Sequence, residues 1–284
     1  YLIKRYKPKF FVIFDDYTFQ KVKKEKLKNK VKILSSKDYH HFKFKKSDIS
    51  ILAIPGIAGL EPTLKSIRLS KKILIANKES IICGWNIINK LIKKYKVKTF
   101  PVDSEHFSIM NLIEQSNKND IEKIYLTASG GPFLKYPLSK MKTIKPSEAL
   151  NHPKWKMGKK ISIDSATLIN KIFEVIEANK LFSIDLKKID ILIHPQSLVH
   201  AIVKLKNGLH KFLYFETDMS IPIGNALFEK KFNLKNFSKI NLKLKKSDFA
   251  KNLDFLKVDK KKFPAIKLKP ILNKYISIPI ILNA

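Results

Sequence analysis

The chain has 284 residues, 44% hydrophobic and 11% aromatic, enough for about two domains with real cores and too apolar for a disordered protein. No apolar run reaches membrane-spanning length, and the one cysteine, Cys83, excludes an intrachain disulfide framework and points to a reducing compartment. The net charge of +33 invites a nucleic-acid reading, but arginine occurs only at Arg5 and Arg68 and the lysines are spread over every segment. The planar forks that read bases and phosphates are therefore scarce, and only weak, sequence-blind attraction to polyanions is expected.

Residues 9–15, Lys-Phe-Phe-Val-Ile-Phe-Asp, form an apolar run of strand length. Residues 16–28 are lysine-rich and helical in pattern, and 31–35 read as a second short strand. A third strand runs over 49–56 into Gly56-Ile57-Ala58-Gly59, a fourth over 72–77 and a fifth over 97–103, with a helical stretch over 82–95. Strands alternating with helices predict βαβ units and a parallel sheet, with chemistry gathered at the carboxyl ends of the strands.

Those ends are informative. The fourth strand ends in Ala76-Asn77-Lys78-Glu79-Ser80, the fifth in Pro101-Val102-Asp103-Ser104-Glu105-His106. In extended backbone Asp103 and Glu105 point to the same side. Three readings are open there: oxygen ligands for a hard cation such as Mg²⁺ or Mn²⁺, a general acid/base pair with one carboxyl protonated, or a surface acidic pair.

A sixth strand over 121–128 ends in Ser129-Gly130-Gly131-Pro132-Phe133, either a turn or a place where backbone amides approach a phosphate. Residues 134–160 carry Pro137, Pro146 and Pro153 and no clear period, which predicts a long lid loop. It contains His152-Pro153-Lys154-Trp155-Lys156-Met157-Gly158, where Trp155 suits either closure over a charged ligand or packing onto the surface. Residues 164–182 read as one amphipathic helix. Leu168, Ile169, Ile172, Phe173, Val175 and Ile176 share one face, and Asn170, Lys171 and Glu174 the other. Asp164 and Ser165 fall where an N-cap belongs, with free amides able to hold an anion. The alternative is a solvated face with an ordinary cap.

A strand over 189–193 leads into His194-Pro195-Gln196-Ser197-Leu198-Val199-His200. Further strands are expected over 201–206, 211–215 and 240–244, with a hairpin at Asn207-Gly208. Residues 245–262 suit loop or surface helix, and 263–272 the start of an exiting helix.

Taken in order, the segments 76–80, 101–106, 129–133, 152–158, 164–174 and 194–197 together resemble the 1-deoxy-D-xylulose-5-phosphate reductoisomerase family over nearly the whole chain. Each segment alone is a weak signal; six in order at compatible spacings are specific. The resemblance implies an α/β fold: a partial Rossmann-like parallel sheet in residues 1–101, an α+β catalytic domain with a long lid loop in 102–262, and the start of a linker in 263–284. It implies an NADPH-dependent, Mg²⁺- or Mn²⁺-dependent enzyme that rearranges and reduces a phosphorylated ketose to 2-C-methyl-D-erythritol 4-phosphate in non-mevalonate isoprenoid synthesis. By position, Asp103, Glu105 and Glu174 match metal ligands. Ser129, Ser165, Asn170 and Lys171 match contacts to the phosphate end, with His152 and Trp155 in the lid. Lys78 and Ser104 match substrate contacts, and Asn77, Glu79 and Gly158 cofactor contacts. Lys78, Glu105, His152 and Glu174 are the residues expected to carry catalysis. A homodimer is implied, in a bacterial cytoplasm or, alternatively, a plastid stroma, with no membrane and no specific nucleic-acid partner.

The chain also departs from the family pattern. The family's Gly-x-Thr-Gly-x-x-Gly fingerprint is absent, because the eight glycines lie at 56, 59, 84, 130, 131, 158, 208 and 224. Glu216-Thr217-Asp218-Met219-Ser220 replaces a Pro-Asp-Met-Arg type segment, and Pro55 stands where valine is usual. A fragment is expected, lacking the first βαβ unit and a C-terminal helical domain. Two other readings compete: a truncated relic that only binds phosphorylated ligand, and a non-specific polyanion-binding protein.

Overall fold

The computed structural model describes residues 1–25, 31–114, 116–153, 158–234 and 252–283. Their contacts divide the chain into two compact units, Tyr1–Lys46 and Ser47–Ala284. The boundary expected at 101/102 lies inside the second unit.

The first unit runs α1 (Leu2–Tyr6), β1 (Phe10–Ile13), α2 (Asp16–Lys24), β2 (Lys32–Ser35), α3 (Ser36–His41). β1 and β2 pair in parallel, from Phe10 opposite Lys32 to Ile13 opposite Ser35. Asp15 caps α2 by accepting from the Thr18 amide at 2.7 Å, and Ser35 with Asp38 forms a capping box on α3. Phe10, Phe42 and Phe44 make a small aromatic cluster, with ring centroids 4.7–6.1 Å apart.

The second unit opens with β3 (Ser47–Leu52), α4 (Leu60–Arg68), β4 (Ser70–Ile75), α5 (Lys78–Tyr95) and β5 (Lys98–Pro101). The strands form a parallel sheet with β4 in the middle, as the βαβ reading requires. Ile73, Ile75, Ile67, Ile81 and Ile88 fill the space between this sheet and α4 and α5. α6 (Ser104–Ile113) and β6 (Ile121–Ala128) follow, then α7 (Pro146–Ala149), α8 (Lys159–Ala166) and α9 (Ile169–Phe182). β7 (Ile189–Ile193), β8 (Val199–Leu205), β9 (His210–Tyr214), α10 (Ser220–Phe228), β10 (Leu256–Lys257) and α11 (Ile278–Asn283) complete the described elements. The second sheet has the order β10-β7-β6-β8-β9; β6 and β7 are parallel and the other pairs antiparallel. The β8–β9 hairpin turns at Asn207-Gly208, where Gly208 takes φ +88°. The fold is α/β. No described helix is long and apolar enough to cross a membrane.

Four expectations need correction. The stretch 164–182 is not one helix. It breaks at Leu168, which sits in the left-handed region at φ +61° between α8 and α9. That conformation costs about 1–2 kcal/mol, and burying the Leu168 side chain, 2% exposed in the main core, offsets it. Asp164 and Ser165 consequently lie in the last turns of α8 and cap nothing at the start of α9. Segment 101–106 is not extended past Pro101: Asp103 is the N-cap of α6, accepting from the Glu105 and His106 amides at 3.0 and 3.3 Å. Residues 134–160 are not a bare loop. A 3₁₀ helix (Leu138–Thr143), α7 and the start of α8 occupy much of the stretch, and Tyr136, Met141 and Ile144 pack against Phe133, Ala149 and Ala166. The element expected over 263–272 is a 3₁₀ helix, Pro264–Ile271; Pro264 is tolerated at the first position, but Pro270 inside it removes an amide donor and its ring crowds the carbonyl four residues back. The strand expected over 240–244 lies outside the described residues.

Asn77 ties the β4–α5 connection to the loop that follows β3. Its side chain accepts from the Ser80 amide at 2.6 Å as the N-cap of α5, and its amide nitrogen donates to the carbonyls of Ile54 and Gly56. Asn77→Ala removes a cap and strands two carbonyls, so it is expected to destabilise the protein by about 2–4 kcal/mol in urea unfolding. Asn77→Asp keeps the cap but turns a carboxylate oxygen toward both carbonyls, so it is expected to be no more stable than Asn77→Ala. Recovery of parental stability by Asn77→Asp would show that the carbonyl clamp contributes nothing.

Candidate active site

Helix α9 supplies the polar centre. It is buried nearly all round, with Ile172, Phe173, Val175 and Ile176 in the core. Asn170, Glu174 and Glu177 recur at i, i+4 and i+7, so they form one stripe on the remaining face, joined by Lys171. That face is not solvated: Lys171 is 7% and Glu174 1% exposed. Two other elements aim at the stripe. α5 begins with Lys78, and α6 begins at Asp103 with Ser104 and Glu105 in its first turn.

Asp103, Glu105 and Glu174 each place a carboxylate oxygen within 4.8 Å of the others. The expectation of a carboxylate pair therefore holds in space, although a helix N-terminus and not an extended strand brings it about. Three anions at this range would repel strongly out of water. The Lys171 ammonium relieves them by donating to Glu105 Oε1 and, at 2.6 Å, to Glu174 Oε2. Asn170 donates its amide to Glu174 Oε1 and accepts from Lys78 Nζ at 2.6 Å. Ser104 donates to Glu105 Oε2.

The titrating groups respond accordingly. Burial, reinforced by the Glu105 carboxylate, pushes Glu174 up to about 8. Burial also opposes charge on Asp103, yet the His106 ring and the two lysines hold it well below the usual carboxylate range. Burial disfavours the His106 imidazolium, but Asp103, 3.1 Å away, and Glu177 raise the ring to about 10. His106 Nε2 lies 3.0 Å from the Glu174 carbonyl, tying α6 to α9. Burial lowers Lys171, but Glu105 and Glu174 outweigh it and raise the ammonium above its ordinary range.

The other end of the site suits an anion. β6 ends at Ser129, followed by Gly130 and Gly131, both at positive φ. Ser129 Oγ lies 3.1 Å from His152 Nε2 and accepts from the Gly131 amide at 3.1 Å. A Cβ on Gly131 would lie 3.1 Å from Ala166 Cα, so the Ser-Gly-Gly turn packs directly on the backbone at the end of α8, where Ser165 is. Burial and the neighbouring Lys171 lower the His152 ring.

These ends face one cavity of about 290 Å³. Lys78, Asp103, Ser104, Glu105, Ser129, His152, Ser165, Asn170, Lys171 and Glu174 all line it, so the structure brings together ten of the residues singled out in the sequence. Asn77, Glu79 and Gly158 are not among its lining residues. Asn77 is committed to the backbone clamp, Glu79 lies on the first turn of α5, and Gly158 is exposed at the N-cap of α8. Trp155 lies outside the described residues.

Sequence reasoning assigns no role to several lining residues, among them Thr127, Ser197, His200 and Met219. Ser197 takes φ +57°, which sequence does not announce for serine, and the His200 ring stacks on Phe215 at 4.3 Å. The segment His194-Pro195-Gln196-Ser197 was quoted without roles. Its histidine is an anchor: Nδ1 is 2.8 Å from the Asp254 carbonyl, Nε2 accepts from the Leu198 amide, and the ring stacks on Phe255.

Comparison with known proteins agrees with this geometry. Two family models match, 1-deoxy-D-xylulose 5-phosphate reductoisomerase over residues 1–84 and the C-terminal domain of the same enzyme over 99–182. The reductoisomerase of Pelagibacter ubique is 50% identical over 264 residues, covering 90% of this chain and 66% of the relative. That of Wolbachia pipientis from Culex pipiens is 41% identical over 93% of this chain and 67% of its own length. A relative from Wolbachia pipientis wMel is 46% identical, with 57% of its length covered, so the chain spans about two thirds or less of the curated relatives it matches. Among solved structures, a DOX-P reductoisomerase in complex with NADPH, fosmidomycin and magnesium superposes with TM-score 0.86 at 33% identity, covering 99% of this chain and 71% of that one. The Zymomonas mobilis enzyme in complex with NADPH gives 0.77 at 34% identity, covering 94% and 68%. The chain belongs to the 1-deoxy-D-xylulose 5-phosphate reductoisomerase family.

Proposed function

We propose that the protein carrying this chain converts 1-deoxy-D-xylulose 5-phosphate to 2-C-methyl-D-erythritol 4-phosphate, with NADPH as reductant and Mg²⁺ or Mn²⁺ as metal. One observation carries the reading: a single cavity is lined both by three clustered carboxylates and by the Ser129, Ser165 and His152 side chains. A small phosphorylated polyol needs both. The family's structures in complex with magnesium, NADPH and fosmidomycin support it.

Asp103, Glu105 and Glu174 fit a hard divalent cation: all donors are oxygen, and their mutual repulsion is relieved by positive charge. A metal bound there would act as a Lewis acid on the ketose carbonyl. The chain's own groups do the rest. Ser129, Ser165 and Asn170 offer hydrogen bonds to phosphate oxygens, and Lys171 brings charge from the next position of α9. Lys78 reaches the cavity from α5 and orients the ligand together with Asn170. His152 and Ser129 meet above the phosphate end, which suits closing it to water. NADPH supplies the hydride. The described residues contain no glycine-rich loop for its pyrophosphate, so no phosphate contact of the cofactor is assigned to this chain.

The relic reading is not favoured, since the cavity keeps three clustered carboxylates that binding a phosphorylated ligand alone does not need. The polyanion reading is not favoured either, because it leaves that buried cluster without a purpose. A homodimer is part of the proposal. β9 is an outer strand of its sheet and carries the exposed Phe212, next to the exposed Leu209, which supports pairing with a second copy. A bacterial cytoplasm is part of the proposal too, and the free Cys83 supports a reducing compartment.

Three outcomes test the assignment in the full-length protein. Glu174→Gln is expected to weaken Mg²⁺ binding at least ~10-fold by calorimetry and to lower kcat/KM by about 100-fold or more in NADPH oxidation. Unchanged metal dependence would remove Glu174 from the metal site. His152→Ala is expected to raise KM for the phosphorylated substrate about 10-fold with a smaller effect on kcat, because one hydrogen bond to a charged group is lost. An effect confined to kcat would place His152 at the reacting centre instead.

The third concerns pH. Glu174 keeps its proton to about pH 8 when folded against 4.5 unfolded, and His106 to about 10 against 6.5. The rings of His152 and His200, which burial lowers, act in the opposite sense but only below 6.5. From pH 6.5 to 8 the folded metal-free protein therefore binds more protons than the unfolded chain, and stability is lost as pH rises. Thermal melts should show Tm falling across that window without metal and a shallower fall with saturating Mg²⁺. A rising Tm without metal would contradict the charge assignment.

A further inference from the structure

Glu177 lies one turn beyond Glu174 on α9, on the same stripe, and the activity proposed above gives it no role. It is 3% exposed, and its Oε2 has no hydrogen-bond partner among the described residues. A carboxylate in such a place is costly unless a cation faces it. Two cations face it: the His106 ring, and Lys78, whose Nζ lies 3.9 Å from Glu177 Oε2 and donates to Asn170 Oδ1 at 2.6 Å. Asn170 in turn donates to Glu174, one of the three clustered carboxylates.

The geometry separates Glu177 from the ligand. Lys78 lines the cavity and Glu177 does not. Glu177 is also outside the group of carboxylates close enough to share a cation. It sits behind Lys78, as Asn170 sits beside it. A lysine side chain has a flexible four-carbon stem and a point charge with no preferred plane, so its direction is set by whatever acceptors surround it. Here they come from one helix, one turn of α9 to either side of Glu174. The groups around Glu177 agree: burial raises its carboxyl, and the His106 ring and Lys78 oppose that rise.

We propose that Glu177 is a positioning residue for the proposed reaction: its carboxylate holds the Lys78 ammonium against Asn170, so that Lys78 points into the cavity in one direction. This rests on the activity proposed above for what Lys78 touches, but not for the arrangement itself.

The experiment uses the full-length protein with Glu177→Gln, Glu177→Asp, Lys78→Met and the double variant Lys78→Met/Glu177→Gln. Glu177→Gln keeps the shape and removes the charge. It is expected to lower kcat about 10-fold with Mg²⁺ affinity and Tm near parental, because a misdirected group costs turnover more than binding. Glu177→Asp should recover part of the loss. In the Lys78→Met background the further effect of Glu177→Gln should shrink to less than about 2-fold, the signature of two residues acting as one unit. A second readout needs no turnover. Acetylation of Lys78 at fixed alkaline pH, followed by peptide mass spectrometry, should speed up severalfold in Glu177→Gln relative to the other lysines, because the free amine is more populated without the carboxylate.

Parental turnover in Glu177→Gln, an undiminished 10-fold loss in the Lys78→Met background, or unchanged Lys78 acetylation overturns the proposal. If the parent protein does not turn over 1-deoxy-D-xylulose 5-phosphate, the proposed activity fails and the acetylation comparison still decides the role of Glu177. If Glu177→Gln does not fold, Glu177→Asp decides, because it withdraws the carboxylate from Lys78 by one methylene: faster Lys78 acetylation than in the parent supports the proposal and an unchanged rate overturns it.

Discussion

Like charges cannot be buried together without a counter-charge, and the second unit is arranged around that constraint. Asp103, Glu105 and Glu174 are drawn to one point by two helices and the strand end that feeds one of them. The helix that carries Glu174 is also a main piece of the core, so it cannot move away to relieve the repulsion. Relief comes from cations placed by neighbouring elements: Lys171 from the same helix, Lys78 from α5 and the protonated ring of His106 from α6. Each is held by more than one contact. The cluster is a network, and removal of one member leaves another charge buried alone.

The break at Leu168 is what lets one stretch of chain serve both ends of the cavity. In an unbroken helix, Ser165 would be separated from Asn170 by more than a full turn and would face a different direction. The left-handed residue redirects the chain, so that the end of α8 presents Ser165 and the beginning of α9 presents Asn170 and Lys171 to the same space. Gly131 completes the arrangement from β6, since only a residue without a side chain packs on Ala166 there without displacement. Sheet, turn and broken helix are thus adjusted to one another within a few ångströms.

Much of this was legible in the sequence, for identifiable reasons. The strands over 121–128 and 189–193 are apolar runs bounded by turn residues, and they were placed to the residue. The i, i+4 spacing of Asn170 and Glu174 was visible too. The i+7 position of Glu177 was equally available, but a charged residue near the end of a helical pattern reads by default as solvated. The break at Leu168 was not legible: leucine is a good helix former, and tertiary burial overrides its preference. Asp103 and Glu105 were read as strand neighbours, although Asp followed by Ser and Glu is also an N-cap pattern. The conclusion that they converge survived because both geometries bring the carboxylates together. Pro270 was in plain view too, and a proline inside that short element opposes the α-helix expected there.

The lysines of the surface and the carboxylates of the cavity set up fields of opposite sign at different ranges. The net charge of +33 acts outward, over the Debye length of about 10 Å at moderate salt, and draws anions toward the protein from any direction. The carboxylates of the cavity, Glu174 buried and Asp103 and Glu105 half-buried, act over a few ångströms, where salt screens them much less. Ionic strength therefore divides the two: added salt slows the arrival of an anion and leaves the hold on a cation in the cavity nearly untouched.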